Sequence, residues 1–156
     1  MVATWNAIVM HVQPVSDQYV LLHLYTRQGG RRCVKAYGRK WRSTLTPMAI
    51  VEVCVSGKSE EQCALTSVAR TYVPQHDDMA HHCAYLMMAE VLMKTLVHPM
   101  QDEQLYEYLL QQTIEVDERD EMVGWSAAFL YGLSQQLGYG GQWLNEWHQL
   151  KSIDLL

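Results

Sequence analysis

The side chains best equipped for chemistry crowd into one stretch. Seven of the chain's twelve Lys/Arg residues (Arg27, Arg31, Arg32, Lys35, Arg39, Lys40 and Arg42) fall within sixteen residues. Residues 31–47, RRCVKAYGRKWRSTLTP, hold six of them with Tyr37, Trp41 and no acid. Ammonium and guanidinium groups neutralise phosphates, and ring faces accept stacked bases; proteins that bind single strands combine the two. Lys35, Tyr37, Arg39, Lys40, Trp41 and Arg42 supply both on one short segment. The plainer reading is a solvated basic loop that only keeps the protein soluble.

The formal net charge of −5 conceals this concentration. Residues 1–73 carry nine Lys/Arg and four Asp/Glu, a balance of +5, whereas residues 74–156 carry three and thirteen, a balance of −10. The sign asymmetry between halves is the informative quantity.

Other reactive residues form weaker constellations. In His76-Asp77-Asp78-Met79-Ala80-His81-His82-Cys83 the pairs Asp77/His81 and Asp78/His82 have i,i+4 spacing, which can place two metal ligands on one helical face. The same aspartates are good caps for a helix start, and no H-E-x-x-H or C-x-x-C completes a ligand set, so no metal is expected. Cys33, Cys54, Cys63 and Cys83 are widely spaced and read as free, mostly buried thiols. A Cys–His enzyme needs a base beside its thiol, and the pattern pairs none with Cys33. With no G-x-S-x-G, phosphate loop or dinucleotide fingerprint either, neither catalysis nor a cofactor is expected.

The elements that must position the basic run follow from periodicity. Before Val73, runs rich in β-branched and aromatic residues suggest strands at Asn6–Val12, Gln18–Thr26, Arg32–Gly38, Ala49–Val55 and Ala64–Tyr72. Turn signals separate them, and five such strands suit an OB-fold barrel. Alternation places Val20, Leu22, Leu24, Val34, Ala36, Val51, Val53 and Val55 inside. Tyr19, His23, Tyr25, Lys35, Tyr37 and Arg39 then share the outer face of strands two and three. After Pro74 the period becomes helical. One helix is expected from Asp77 or Asp78 to about Val97, and a second over Asp102–Val116 with Leu105, Tyr108, Leu109 and Gln112 on one side. A solvated loop or helix start follows at Glu115–Glu121. A third helix spans Met122–Leu137 before Gly138-Tyr139-Gly140-Gly141, with a short turn or helix at Trp143–Leu150. The Met-rich segment Tyr85–Met93 reads as core. The expected fold is α+β, with a five-stranded OB-fold barrel over residues 1–73 and a small α-helical domain over 74–156.

Several of these segments resemble the bacterial recombination-mediator and DNA-repair family RecO. The carriers are NAIVMH at 6–11, YVLLHLYTRQGGR at 19–31, VKAYGRK at 34–40 followed by Leu45-Thr46-Pro47, Ala89-Glu90-Val91-Leu92, and Leu137-Gly138-Tyr139. The ordered set carries the resemblance, which covers most of the chain. It implies an OB-fold followed by a helical domain and non-catalytic DNA binding. It also implies strand annealing, and recombinase loading onto strands coated by single-stranded-DNA-binding protein, in concert with RecR. The family's basic OB positions carry over to Lys35, Arg39, Lys40 and Arg42. Family members run longer at the C-terminus, and many carry a cysteine zinc ribbon that this sequence lacks. A short, divergent member is therefore expected, with a weakened or lost contact to single-stranded-DNA-binding protein.

The resulting expectation is binding of single-stranded, and also duplex, DNA through Arg27, Arg31, Lys35, Tyr37, Arg39, Lys40, Trp41 and Arg42. The rival is a protein-interaction module whose basic face docks an acidic partner segment, and a metal enzyme at the histidine cluster ranks third. No apolar run is long enough to span a bilayer; the segment around Tyr85–Leu96 is broken by Glu90 and Lys94. The opening MVATWNAIVMHV lacks a basic stretch before its apolar residues, so a cytoplasmic location without a membrane partner is expected.

Overall fold

The computed structural model describes residues 1–41, 45–75 and 78–139. Two compact units are present, Met1–Glu118 and Arg119–Leu156. The first unit contains five strands: β1 (Val2–Pro14), β2 (Tyr19–Thr26), β3 (Gly30–Tyr37), β4 (Ile50–Gly57) and β5 (Cys63–Tyr72). They close on themselves in the order β1-β2-β3-β5-β4. All pairings are antiparallel except β3 with β5, which meet in parallel at Lys35 and Ala64. This is an OB-like sheet followed by helices, the α+β architecture expected from the sequence.

Period-two alternation builds the core. Val20, Leu22, Leu24, Val34, Ala36, Val51, Val53 and Val55 are all buried inside the closed sheet, each contributing roughly 1.5–3 kcal/mol where the side chain is a fully enclosed Val or Leu. β1 is longer than its apolar run suggests because it serves two neighbours, pairing with β4 through Val2–Ile8 and with β2 through Ala7–Pro14. A register shift between Val9 and His11 makes this possible. Trp5, Ala7 and Val9 point inward before it, and Val12 packs on the same core after it. The extra residue thus turns both Met10 and His11 to the outside.

Two helices pack with the sheet in this unit. Helix α1 (Met79–Thr95) starts at Asp78, whose side chain accepts the His81 backbone N–H at 2.9 Å. It buries Ala84, Tyr85, Met88, Ala89 and Leu92, so one face of the Met-rich segment is core while Leu86 and Glu90 are exposed. Helix α2 (Glu103–Glu118) starts beside Asp102, which accepts the Leu105 N–H at 3.0 Å. Its buried face is Leu105, Tyr106, Leu109, Thr113 and Val116. Tyr106 and Thr113 take the places expected for Tyr108 and Gln112, which are only half-buried, because the i,i+4 row from Leu105 through Leu109 runs on to Thr113.

The acidic run Glu115–Glu121 is not simply a solvated loop. α2 continues through Glu118, and Asp117 accepts the hydroxyls of Tyr72 on β5 and of Tyr85 on α1, the latter at 2.6 Å. Burial, then the Asp117 carboxylate, pushes the Tyr72 phenol up to about 12 and Tyr85 higher still. Both phenols therefore stay protonated and donate.

Helix α3 (Met122–Gln136) belongs to the second unit. Glu121 caps it by accepting the N–H groups of Val123 and Gly124 at 2.7 and 2.8 Å. Met122, Trp125, Phe129 and Leu133 form its buried stripe, with the Trp125 and Phe129 rings stacked at 5.4 Å. The expected turn or helix at Trp143–Leu150, with Gly140 and Gly141, lies outside the described residues. All four cysteines are free. Only Cys63 is buried, against the expectation of mostly buried thiols; Cys33 and Cys83 are exposed and Cys54 is half-buried. Among the described residues no helix is long and apolar enough to cross a membrane.

Candidate nucleic-acid interface

The β2–β3 hairpin sets the site. Its turn is Arg27-Gln28-Gly29, closed by the Thr26 hydroxyl, which donates to the Gly30 carbonyl at 2.9 Å and accepts the Gly29 N–H at 3.2 Å. Gly30 sits at φ 67°, and a Cβ there would come within 2.2 Å of the Met100 carbonyl oxygen, so only glycine fits. From this turn the register runs Thr26–Gly30, Leu22–Val34, Leu21–Lys35 and finally Tyr19–Tyr37.

The outer face at the open end of this hairpin carries rings and cations together. The Tyr19 and Tyr37 rings lie 5.6 Å apart and tilted by 46°. Lys35 Nζ lies 5.7 Å from the Tyr19 ring centre, and Tyr37 is 55% exposed. Gly38 donates to the Gln18 carbonyl at 2.9 Å and, at φ 103°, turns the chain off the sheet into the loop that bears exposed Arg39 and Lys40. Lys40 Nζ lies 4.5 Å from the centre of the Trp41 ring.

Trp41 itself does not offer a stacking face. It is 8% exposed, belongs to the barrel core, and donates its indole N–H to the Tyr37 carbonyl at 2.8 Å. Its ring packs in the core of the closed sheet, as do Leu45 and Ala49 from the same connection between β3 and β4. Arg42 lies outside the described residues.

The arginines at the other end of the hairpin are engaged within the fold. Arg27 pairs with Glu103 at 3.2 Å and with Glu107, both on α2, and lies over the Tyr106 ring. Arg31 donates to the carbonyls of Met93 and Leu96 at 3.2 and 2.8 Å, satisfying acceptors at the C-terminal end of α1. Arg32 pairs with Glu60 at 2.5 Å and covers the Trp5 ring. The run that is continuous in sequence is therefore divided in space, with Lys35, Tyr37, Arg39 and Lys40 at one end and Arg27, Arg31 and Arg32 at the other.

Between these ends the outer face carries a row of His11, His23 and Cys33 across β1, β2 and β3. The imidazoles are 5.8 Å apart, and His23 Nε2 lies 3.0 Å from Gln13 Oε1. Burial, then Arg31 and His11, lowers the His23 pKa. Burial pushes the Cys33 thiol up, which keeps it protonated and a poor nucleophile. At the head of α1, Asp78 accepts from both the backbone N–H and Nδ1 of His81, and those bonds lower its pKa. Asp78 thus closes the helix start with His81; His76 and Asp77 lie outside the described residues. Sequence reasoning placed Tyr19 outside but left it out of the site. Counting pairs back from the Gly29-Gly30 turn would have brought it opposite Tyr37. The outward turn of His11 depends on the β1 bulge, which the apolar run Ile8-Val9-Met10 does not betray.

No protein-family model matches the chain. It is similar to the curated DNA repair protein RecO of two strains of Porphyromonas gingivalis, at 26% identity over 165 aligned positions. The similarity covers 94% of this chain and 67% of each relative. The chain is RecO-like and divergent.

Proposed function

We propose that this RecO-like chain is a non-catalytic DNA-binding protein of recombinational repair that grips the DNA backbone through the open end of its OB-like sheet. One observation carries the reading: Lys35, Tyr37, Arg39 and Lys40 are all exposed at this end of the hairpin, while Arg27, Arg31 and Arg32 make their contacts within the fold. Arg42 joins the set by its sequence position. The relatives' name supports the repair role; strand annealing, recombinase loading and work with RecR and single-stranded-DNA-binding protein in the cytoplasm extend the same reading.

Titration of labelled DNA against salt is the test. Three to four neutralised phosphates on a single strand give a slope of about −2 to −3 in log K against log salt. Charge reversal at Arg39, Lys40 and Arg42 together should flatten it. The rival is a module that docks an acidic protein segment, and it has one observation in its favour: the barrel already docks acidic α2 through Arg27, Glu103 and Glu107. If the wild type binds no DNA even at low salt, the docking module replaces the DNA reading.

A further inference from the structure

We infer that the Tyr19–Tyr37 pair is a stacking platform that makes this surface select strands with unpaired bases over duplex. The inference rests on the DNA reading above and adds to it what is recognised besides phosphate. Core filling does not explain the pair: Tyr37 is more than half exposed, and both rings stand on the face of the sheet opposite Val20 and Ala36, which fill the core. The two rings are directly opposed in register, 5.6 Å between centres, so neither can turn away without losing its neighbour. Lys35 Nζ stands 5.7 Å from the Tyr19 ring, within reach of a phosphate whose base lies on the tyrosines. Exposed Arg39 and Lys40 follow immediately after Gly38, two and three positions beyond Tyr37. In a duplex the base faces are already stacked on one another and only phosphates remain available. In a single strand every base has a free face, and an aromatic side chain collects that interaction whatever the sequence.

Three probes of equal length separate rings from charges: oligothymidylate, a strand of the same backbone with abasic residues in place of bases, and a duplex. The proteins are the wild type, Tyr19→Leu/Tyr37→Leu and Tyr37→Phe, each checked for an unchanged circular dichroism spectrum. The wild type should bind oligothymidylate about tenfold tighter than the abasic strand. The double leucine variant should lose that ratio while keeping its abasic and duplex affinities and its salt slope. Tyr37→Phe keeps a ring face and should behave as the wild type, which also controls for folding. Equal wild-type affinity for the two strands, or a ratio that survives in the double leucine variant, overturns the platform and leaves the backbone reading standing. No wild-type binding to any probe at low salt overturns both.

Discussion

Three residues separate Tyr37 from Trp41, and the fold gives the two rings opposite environments. The tyrosine stands on an outward position of β3, while the tryptophan packs in the core of the closed sheet. Sequence alone does not separate them, because both are rings within one basic run. The difference comes from Gly38, whose positive φ ends the alternation of the strand, so parity no longer says where the next side chain points. Each residue should therefore fail in a different assay. Trp41→Ala should cost about 3–5 kcal/mol of stability, the usual range for an enclosed large ring. Trp41→Phe should cost less and leave DNA affinity within about twofold of wild type, since the wild-type indole offers no free face. Urea melts and anisotropy titrations of the same preparations check both halves. A large loss of affinity in a stably folded Trp41→Phe protein would return this ring to the binding surface.

Elements explain why so much of the positive charge is not available to DNA. The strands were legible in the sequence because one face of each is buried, and a period of two then marks the inward positions Val20, Leu22, Leu24, Val34 and Ala36 without knowledge of partners. The roles of Arg27 and Arg31 were not legible, because what they bind is supplied by segments 62 to 80 residues away in the chain. Arg31 completes the end of α1, where carbonyls have no partner within the helix. Arg27 bridges the hairpin turn to two glutamates of α2 at a half-exposed position. Arg31→Ala should thus destabilise the protein by about 1–3 kcal/mol, the scale of a lost charged hydrogen-bond donor. Arg27→Ala should cost at most about 1 kcal/mol, as exposed pairs usually do. Neither should change the salt slope of DNA binding, in contrast to charge reversal at Arg39, Lys40 and Arg42. A slope that falls by about one unit in either variant would place that arginine on the DNA after all.

For the whole molecule, the decisive feature is that charge is segregated in sequence while the fold is held by apolar packing. The +5 and −10 halves were visible at once, but how far they matter to stability was not, because a charge count says nothing about which pairs are desolvated. The pairs that join barrel and helices in the first unit, Arg27 with Glu103 and Glu107, leave much of the glutamate side chains in water. What lies between the same elements is apolar or hydrogen-bonded: Tyr25 packs on Tyr106, and Tyr72 and Tyr85 share Asp117. Salt screens exposed pairs and barely touches enclosed ones. Folding and binding should therefore respond differently to the same salt series. Between about 50 and 500 mM sodium chloride the melting temperature should move by no more than about 4 °C, equivalent to about 1 kcal/mol for a chain of this size. DNA affinity should fall about a hundredfold or more over that range, because each neutralised phosphate releases a counterion whose cost of release rises with salt. Thermal melts and anisotropy titrations in the same buffers make the comparison. A melting temperature that falls by ten degrees or more would mean that the ion pairs between barrel and helices, rather than the tyrosines around Tyr25 and Asp117, hold the first unit together.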